Sequence, residues 1–427
     1  MRYLTSTATI GEQHTYEIPI SHNAIHAPHF KQITAPDADT GLLISDPGLR
    51  NTAVVESEVA YLNGSTGTLH YRSYSVGELY HKDLQYEDVL HFLTWGYLPS
   101  QTQKAQLRTE LAAALSTPAD TIFSVIHAFP TTAPPMTMIL AGLSAHLSSR
   151  PTTIPAFIGA NLYEYANPPL TIEAQITPTL SALALVVAVT YCHRTSTPFT
   201  PPLPTLPFAA NVFRMLGRPL STHEHTAIEK LWLLYADHGL ANATAAFLHT
   251  ASTRADPVSC LIAALSAGYG PLHGGAIDMV YHMLARVGST AQVPALIAEV
   301  KSGRGKLYGF GHRVYETVDP RAGFVKEILG GFERSKFEIV EVAEEIERCV
   351  SEDEWFRSRN IRMNVDLFGC FVYTALGLPP EIIFPLTAIA RAQGYMARWR
   401  EFNMNSPPIW RPQQIYTGPV ATRSSKL

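Results

Sequence analysis

The chain has 427 residues, of which 46% are hydrophobic and 16% are charged, and its formal net charge is -4. A chain of this length and composition is globular, and it is long enough for two or three average domains or for one large domain with a smaller insertion. Because the sequence carries no strong positive charge, we expect no nucleic-acid partner.

The cysteines exclude some kinds of site. Cys192, Cys260, Cys349 and Cys370 are scattered and form no CxxC pair. A disulfide framework or a zinc site is therefore not expected, and a reducing compartment is the default. The longest apolar run, residues 180–192, is too short to span a bilayer and is typical of a buried helix, so no membrane partner is expected.

The N-terminal region predicts little regular structure before a β-hairpin. Residues 1–41 are polar, contain several histidines and prolines, and follow no clear period, which indicates a loosely attached lead. They contain no apolar block typical of a secretory signal. Residues 54–71 predict a hairpin that turns at Asn63-Gly64, because Asn-Gly favours the tight turns of hairpins.

From about Tyr86 onward the hydrophobic spacing predicts helices and few strands, so we expect a mainly α fold. The predicted helical segments are residues 86–93, 101–116, 123–127, 135–149, 176–192, 208–216, 224–238, 260–267, 273–287, 324–350, 366–376 and 381–399. A proline-rich connector at 195–207 separates two of them, and glycine or proline follows several others.

The segment 306–322, KLYGFGHRVYETVDPRA, carries several functional side chains on one turn-rich stretch. Gly309 and Gly311 let the backbone approach a ligand closely, since glycine has no Cβ. His312 follows them directly, and Arg321 follows a proline that fixes the local backbone. An imidazole and a guanidinium on a rigid loop are suited to an oxyanion or a carboxylate. The structural alternative is a surface loop that leads into a helix.

Two further residues are suited to acid–base chemistry. His273 stands at the start of a predicted helix, and because a helix N-terminus disfavours the imidazolium, the neutral ring could donate a hydrogen bond to a developing oxyanion. Asp366 has apolar neighbours that could raise its basicity. The structural alternatives are a histidine that fills the helix start and an aspartate that caps the following helix.

Separated arginines are suited to a substrate with more than one carboxylate. Arg321, Arg391 and Arg411 stand on apolar or turn-rich backgrounds, and each guanidinium could bind a carboxylate through two parallel hydrogen bonds. The alternative for each is a surface ion pair. His238 closes a predicted helix, where a histidine ordinarily interacts with the helix dipole.

Five blocks in a fixed order resemble the citrate synthase family. They are GYGPLHGGA (268–276), LYGFGHRVYETVDPRA (307–322), NVD (364–366), IARAQG (389–394) and RPQQIYTG (411–418). YADHGLANAT (235–244) and DPG (46–48) agree in order, so the resemblance covers most of the chain.

The resemblance implies a mainly α homodimer with a citrate synthase-type two-domain fold. The large helical domain would comprise residues 1–265 and 366–427, and residues 266–365 would form a small mobile domain with the CoA site, whose closure excludes water. The resemblance also implies condensation of an acyl-CoA with oxaloacetate, followed by hydrolysis of the thioester. Acyl-CoA is then a substrate, and neither a cofactor nor a metal is expected.

The resemblance also implies roles for the residues singled out above. Asp366 would remove the proton α to the thioester carbonyl, His273 would hydrogen-bond the enolate oxygen, and His312 would polarise the ketone of oxaloacetate. The carboxylates of oxaloacetate would be held by His238, Arg321, Arg391 and the partner subunit's Arg411. The CoA moiety would contact Gly309, Phe310, Gly311 and Arg313.

Several positions depart from the family pattern. Tyr235 stands where many acetyl-CoA-using members have histidine, and in this it resembles the methylcitrate synthases, while Gly239 replaces a glutamate. Glu316 stands near the expected CoA phosphates and should weaken CoA binding unless a cation compensates. Gly369-Cys370 replaces the usual Ser-Gly, and Thr387 replaces an aromatic residue of some relatives. These differences predict an acyl group longer than acetyl and an alkylcitrate product.

Two alternative functions stay open at this point. One is 2-methylcitrate synthase, which uses propionyl-CoA, and the other is a catalytically silent family member that only binds CoA or a partner. The intact set of His273, His312 and Asp366 favours an enzyme. The final tripeptide, Ser425-Lys426-Leu427, matches the peroxisomal address, and it predicts recognition by the peroxisomal import receptor and localisation in the peroxisome.

Overall fold

The computed structural model describes residues 2–10, 12–34, 40–116, 120–159, 171–337 and 339–419. The chain divides into two compact units, a smaller one formed by Met1–Ser57 with Trp410–Leu427 and a larger one formed by Glu58–Ile409. The predicted domain boundaries at 265 and 366 lie within the larger unit and stay a prediction. The tripeptide Ser425-Lys426-Leu427 lies outside the described residues.

The smaller unit contains a β-hairpin. Strand β1 (Arg2–Ile10) pairs antiparallel with β2 (Glu12–Ile20), and a 3-10 helix (Ala27–Gln32) follows. The sequence predicts no regular element over these residues, so the hairpin is a correction. Threonine, isoleucine and tyrosine recur through both strands, and such branched or aromatic side chains favour extended backbone.

The larger unit begins with a small antiparallel sheet and is otherwise mostly helical, as the sequence predicts. Strands β3 (Ala60–Asn63), β4 (Thr68–Tyr71) and β5 (Tyr74–Ser75) lie in that order, which confirms a hairpin within residues 54–71. Its turn is corrected, because Asn63 pairs with Thr68 and the loop comprises residues 64–67 instead of Asn63-Gly64. The helices are α1 (Val76–Tyr80), α2 (Tyr86–Trp95), α3 (Gln101–Leu115), α4 (Asp120–His127), α5 (Pro135–Ser148), α6 (Pro155–Ile158), α7 (Ile176–Thr195), α8 (Phe208–Met215), α9 (Thr222–Tyr235), α10 (Asn242–Ala251), α11 (Pro257–Gly268), α12 (Ala276–Val287), α13 (Val293–Lys301), α14 (Ala322–Gly330), α15 (Val340–Glu352), α16 (Glu354–Arg357), α17 (Asp366–Ala375) and α18 (Ile383–Met404).

Most predicted helices are confirmed to within a few residues, and one is wrong. The segment 324–350 does not form a single helix but is divided between α14 and α15. Gly330 and Gly331 stand at the break, and consecutive glycines disfavour continuation of a helix. Helices α10 and α13 are not predicted, because ten and nine residues give few turns over which a hydrophobic period can be read.

Helix α7 belongs to the core of the larger unit. It is long and apolar enough to cross a membrane by length and composition. All residues from 180 to 192 are nevertheless buried, and the helix packs against α3, α5 and α18. The predicted buried helix is therefore confirmed.

Helices α9, α17 and α18 and the β3–β4 hairpin position the candidate site. Helix α17 packs against α9, α12 and α14, and α18 packs against α9. The turn of the β3–β4 hairpin touches the loop after His312, where the Gly64 carbonyl accepts a hydrogen bond from Glu316 N at 3.0 Å. A Cβ on Gly64 would lie 2.0 Å from the Val314 carbonyl oxygen, so this contact requires glycine.

Candidate active site

The turn after α9 positions a buried histidine. Asp237 accepts two hydrogen bonds from Arg398 of α18, from Nε at 2.9 Å and from Nη2 at 2.8 Å. Gly394 of α18 faces this turn, and a Cβ there would lie 2.4 Å from Asp237 Oδ2. The next residue, His238, is buried, and its Nε2 lies 3.0 Å from the Tyr315 hydroxyl. Burial holds the pKa of His238 well below its ordinary value.

The loop before His312 pairs with the segment that leads into α17. Gly309 and Gly311 have φ angles of 81° and 74°, which other residues rarely adopt. Gly311 N donates to the Arg362 carbonyl at 2.7 Å, and Asn364 N donates to the Gly309 carbonyl at 3.0 Å. These backbone hydrogen bonds bring His312 close to the N-terminal end of α17.

The imidazole of His312 is held as a neutral hydrogen-bond donor. Its Nδ1 accepts hydrogen bonds from the backbone N–H groups of Val314 at 2.9 Å and Tyr315 at 3.1 Å. Burial, reinforced by the Arg321 charge, lowers the pKa of the ring to about 4. A neutral ring whose Nδ1 accepts carries its proton on Nε2. The centroid of this ring lies 5.0 Å from that of His238.

The imidazole of His273 is anchored to the start of another helix. Its Nε2 accepts a hydrogen bond from the backbone N–H of Ala243, the second residue of α10, at 3.1 Å. The sequence predicts that His273 interacts with the start of α12, the helix that follows it. In the structure its ring instead binds a backbone N–H at the start of α10. Burial, reinforced by the Arg391 charge, lowers the pKa of the ring to about 4. The proton of this neutral ring therefore lies on Nδ1.

Asp366 is the first residue of α17 and has a raised pKa. Its Oδ1 accepts a hydrogen bond from the Tyr235 hydroxyl at 3.1 Å. The residue in the capping position is Val365, so the alternative of a capping aspartate is wrong. Burial raises the pKa of Asp366 to about 6, against the opposing charge of Arg321. Such a carboxyl is a stronger base than an ordinary aspartate and is still mostly ionised at neutral pH.

The two predicted arginines of the larger unit have different partners. Arg321 forms a buried pair with Asp319, from Nε to Oδ1 at 2.9 Å and from Nη2 to Oδ2 at 2.6 Å, so the alternative of a surface ion pair is wrong for it. Its guanidinium carbon lies 5.7 Å from the centroid of the Tyr235 ring. Arg391 is half-buried, and its Nε donates to the Tyr235 carbonyl at 2.6 Å. Within the described residues its two Nη groups make no hydrogen bond.

Two tyrosines connect the predicted residues into one network. Tyr235 contacts the carboxylate and both arginines, Tyr315 contacts two of the histidines, and the third histidine is close enough to Arg391 to be affected by its charge. The predicted residues brought together in this way are His238, His273, His312, Arg321, Arg391 and Asp366. Arg411 is exposed in the smaller unit, and its role stays a prediction.

The residues predicted for CoA lie on and beside the same loop. Phe310 forms an isolated antiparallel bridge with Met363, which fixes the backbone between the two positive-φ glycines. Arg313 and Glu316 are exposed. Their contact with CoA stays a prediction. Within the described ranges, no group of three or more His, Cys, Asp or Glu side chains could hold a metal ion.

Comparison with known proteins decides the family. A family model described as "Citrate synthase, C-terminal domain" matches residues 48–413, which is most of the chain. The chain belongs to the citrate synthase family. Membership of this family makes it an enzyme of acyl-CoA condensation, which is a transferase reaction.

Several citrate synthase-like proteins resemble the chain over nearly its whole length. The citrate synthase-like protein oryE of Aspergillus oryzae is 44% identical over 419 residues, which cover 94% of this chain and 93% of that protein. The alkylcitrate synthase phiJ of a fungal species is 36% identical and covers 95% of this chain and 91% of its own. A peroxisomal citrate synthase of Dictyostelium discoideum is 34% identical and covers 95% and 83%.

A solved citrate synthase has the same fold. The ternary complex of carboxymethyl coenzyme A and oxaloacetate with citrate synthase from Thermoplasma acidophilum matches with a TM-score of 0.80 and 26% identity. The match covers 89% of this chain and 98% of that one. It confirms the predicted mainly α, citrate synthase-type fold.

Sequence reasoning missed some contacts of this citrate synthase-type site. It noted Tyr235 only as a departure from the family pattern and gave Tyr315 no role, because both contacts join segments far apart in the chain. It gave Asp319 no partner, whereas the carboxylate pairs with Arg321. An acid two residues before an arginine in a turn is the signal that could have found this local pair.

The small residues near the predicted acyl pocket, Gly369 and Thr387, do not both leave space for a substrate. A Cβ on Gly369 would lie 2.3 Å from the Tyr235 hydroxyl oxygen, so this hydroxyl occupies the space that the glycine leaves. Thr387 is half-buried, and its Oγ1 lies 3.3 Å from the Tyr373 hydroxyl. The space beside Gly369 is therefore filled by a side chain and is not open to an acyl chain.

Proposed function

We propose that the protein condenses an acyl-CoA with oxaloacetate and then hydrolyses the thioester, giving citrate or an alkylcitrate and free CoA. The observation that carries the proposal is one network that contains a carboxyl of pKa about 6, neutral imidazoles and two arginines. A weak carbon acid needs a base and a donor aimed at the enolate together, because neither suffices alone. The Thermoplasma complex with a CoA derivative and oxaloacetate supports these substrate classes.

In the first half of the reaction, Asp366 removes a proton from the carbon next to the thioester carbonyl. The electron pair of the C–H bond moves into the enolate, whose oxygen accepts a hydrogen bond from Nδ1–H of His273. The raised pKa of Asp366 suits this step, because it increases basicity while leaving the group mostly ionised at neutral pH.

In the second half, the enolate carbon attacks the ketone carbon of oxaloacetate and forms the new carbon–carbon bond. Nε2–H of His312 donates a hydrogen bond to the ketone oxygen while that oxygen becomes an alkoxide. The alkoxide then takes a proton from water to form the hydroxyl group, and Asp366 returns the proton it removed to water, so both side chains regain their starting charge. His238 and the Nη groups of Arg391 bind the carboxylates, together with the partner subunit's Arg411. Arg321 is already paired with Asp319, so it contributes mainly positive charge.

Hydrolysis and release of CoA complete the reaction. Water attacks the thioester carbonyl, and the CoA thiol leaves. The CoA moiety is held by Gly309, Phe310, Gly311 and Arg313. Residues 266–365 form the mobile domain, whose closure keeps bulk water from the thioester until condensation has occurred. The functional unit is a homodimer, since Arg411 acts across the interface.

The acyl group is longer than acetyl, so that the product is an alkylcitrate. The alkylcitrate synthase phiJ supports this choice, and so does the small Thr387 on α18 beside Tyr373. A preference for propionyl-CoA would make the enzyme a 2-methylcitrate synthase instead. A catalytically silent CoA-binding protein is the least favoured alternative, because all three residues of the proposed chemistry are present.

A panel of thioesters separates these functions. Acetyl-, propionyl- and hexanoyl-CoA are each mixed with oxaloacetate, thiol release is followed, and the product mass is determined. We expect the highest kcat/KM with hexanoyl-CoA. A strong preference for acetyl-CoA contradicts the longer acyl group, and no thiol release with any of the three supports the silent protein.

Asp366→Asn is the matched control for the chemistry. It keeps the size of the side chain but removes the base, so turnover should be lost while oxaloacetate binding, measured by calorimetry, stays nearly intact. If this variant keeps most of its rate, Asp366 is not the base.

Peroxisomal localisation is proposed from the final tripeptide, Ser425-Lys426-Leu427, which would bind the peroxisomal import receptor. The peroxisomal citrate synthase of Dictyostelium discoideum supports this location. A fluorescent protein fused to the N-terminus should follow a peroxisomal marker with the full chain and spread diffusely when the tripeptide is deleted. The same distribution for both fusions contradicts the proposal.

A further inference from the structure

Tyr235 is held firmly beside the proposed base. It is the last residue of α9 and is only 4% exposed. Its carbonyl accepts the hydrogen bond from Arg391 Nε, and the Arg321 guanidinium lies over its ring. These contacts fix where the hydroxyl points, and that hydroxyl donates to Asp366 Oδ1 at 3.1 Å.

The two oxygens of Asp366 differ in their surroundings. Oδ1 is bound by Tyr235, whereas Oδ2 makes no hydrogen bond within the described residues. A carboxylate that is free to rotate presents either oxygen, and a single hydrogen bond of known direction removes this choice. Oδ2 is therefore the oxygen left to accept a proton.

Gly369 supplies an independent observation. It lies one helical turn after Asp366 on α17. A Cβ at this position would lie 2.3 Å from the Tyr235 hydroxyl oxygen but 3.3 Å from the ring carbon that bears it. The hydroxyl group of Tyr235, and not its ring, is therefore what excludes a side chain at position 369. If residue 235 were phenylalanine in the same place, a methyl group at position 369 would nearly fit.

We infer that Tyr235 is a positioning residue for Asp366: its hydroxyl holds Oδ1 so that Oδ2 faces the substrate carbon, and Gly369 is required because it makes room for that hydroxyl. The inference rests on the proposed role of Asp366 as the base. It assigns the tyrosine to the orientation of the carboxylate and not to contact with the reacting atoms.

The hydrogen bond also affects the ionisation of the carboxylate. The titratable and charged groups that face Asp366 from the elements around it are Tyr235 of α9, Asp278 of α12, Asp319 and Arg321 before α14, and Arg391 of α18. A donor bound to a carboxylate favours its charged form. Removal of the hydroxyl should therefore raise the pKa of Asp366 further, which moves the acid limb of the pH profile to higher pH.

Three variants test the inference: Tyr235→Phe, Gly369→Ala and the double variant. Tyr235→Phe should lower kcat by about tenfold or more and move the acid limb of kcat/KM upward by about half a pH unit, with little change in KM for oxaloacetate. Gly369→Ala alone should lower both kcat and the melting temperature, because the methyl group and the hydroxyl compete for one space. The double variant should regain the melting temperature and the activity of Tyr235→Phe.

Tyr373→Phe is the matched control. Tyr373 is a buried tyrosine on the same helix as Asp366, and its hydroxyl accepts a hydrogen bond from Trp232 Nε1 at 3.1 Å. Its loss should lower the melting temperature without moving the acid limb, which is the result expected of a merely structural tyrosine.

The outcomes that overturn the inference are distinct from those that overturn the proposed function. If Tyr235→Phe leaves the acid limb in place, or if the double variant melts below Gly369→Ala, the positioning role is wrong. If Asp366→Asn keeps its turnover, the proposed base itself is wrong. Melting temperatures report on the Tyr235–Gly369 pair even in a variant without activity.

Discussion

The two anchored imidazoles, His273 and His312, reach the same charge state through opposite ring nitrogens. Burial lowers the pKa of both to about 4. In His273 the backbone N–H of Ala243 binds Nε2, whereas in His312 two backbone N–H groups bind Nδ1. The first ring therefore offers Nδ1–H and the second offers Nε2–H. The backbone contact, and not the histidine alone, determines which donor faces the substrate.

This difference defines a pair of crossed substitutions. The side-chain amide of asparagine reaches about as far as the Nδ1 of histidine, and that of glutamine reaches about as far as Nε2. One amide can thus replace the anchoring nitrogen while the other replaces the donor. The two histidines should respond to asparagine and glutamine in opposite ways.

The largest effect is expected at His312. His312→Asn keeps an acceptor for the two backbone N–H groups but lacks the donor, so kcat should fall about a thousandfold while the protein keeps its melting temperature. His312→Gln keeps a donor of similar reach and should retain more activity, with a lower melting temperature. The measurement is thiol release together with thermal unfolding. Equal activities of the two variants would contradict the assigned donor.

At His273 the order of the two amides should reverse. His273→Gln keeps the acceptor for the Ala243 N–H but loses the donor, so kcat should fall about a hundredfold. His273→Asn should retain more activity and lose stability, because it leaves that N–H unpaired. If asparagine is the more damaging substitution at both histidines, the two rings are not anchored through opposite nitrogens.

Arg391, the arginine beside His273, sharpens the comparison. The charge of Arg391 affects His273, and within the part of the chain that the structure describes its Nη groups make no hydrogen bond. Arg391→Ala should therefore mainly raise the KM for oxaloacetate, by a factor that corresponds to about 2–4 kcal/mol for a bidentate pair. Arg391→Lys keeps the charge but lacks the planar guanidinium, so its KM for oxaloacetate should lie between those of the native chain and of Arg391→Ala. The result to look for is a raised KM for oxaloacetate with a smaller change in kcat. A change in kcat alone would contradict a role in carboxylate binding.

The smallest effect concerns stability and pH. A histidine whose pKa is lower in the folded chain binds protons first in the unfolded chain, so its contribution to stability is lost as pH falls from about 6.5 towards about 4. The double variant His273→Gln/His312→Asn lacks both imidazoles. Between pH 7 and pH 5 its melting temperature should fall less than that of the native chain, by roughly 2–4 °C. His146, whose pKa burial also lowers to about 4, keeps some dependence in both proteins. Equal slopes would contradict neutral burial of the two rings.

Local patterns predicted the fold well and the contacts of the site less well. The β3–β4 hairpin and most helices follow from Asn63-Gly64 and from hydrophobic spacing, both of which act over a few residues. The break between α14 and α15 was missed although Gly330 and Gly331 mark it. The residue types of the site were visible in the sequence because His312, Arg321 and their neighbours stand in recognisable blocks.

The partners of those residues could not be read from the chain. The hydrogen bond from Tyr235 to Asp366 depends on how α9 packs against α17, and the anchor of His273 depends on where α10 begins. Such contacts are set by tertiary packing, for which a single sequence carries no periodic signal. The predicted acyl pocket is a further example. Gly369 suggests open space in the sequence, but in the structure the hydroxyl group of Tyr235 occupies that space.

The hairpin turn at Gly64 has a consequence for how the loop after His312 can vary. Its carbonyl binds Glu316 through the peptide N–H, and its Cα faces the Val314 carbonyl, so main-chain atoms meet on both sides. If residues 266–365 move as a rigid body, the contact between Gly64 and this loop breaks when the domain opens and re-forms when the domain closes. The end point of that movement is then independent of the side chains at 314 and 316. Those positions are free to change with the thioester that the enzyme accepts, whereas Gly64 is not.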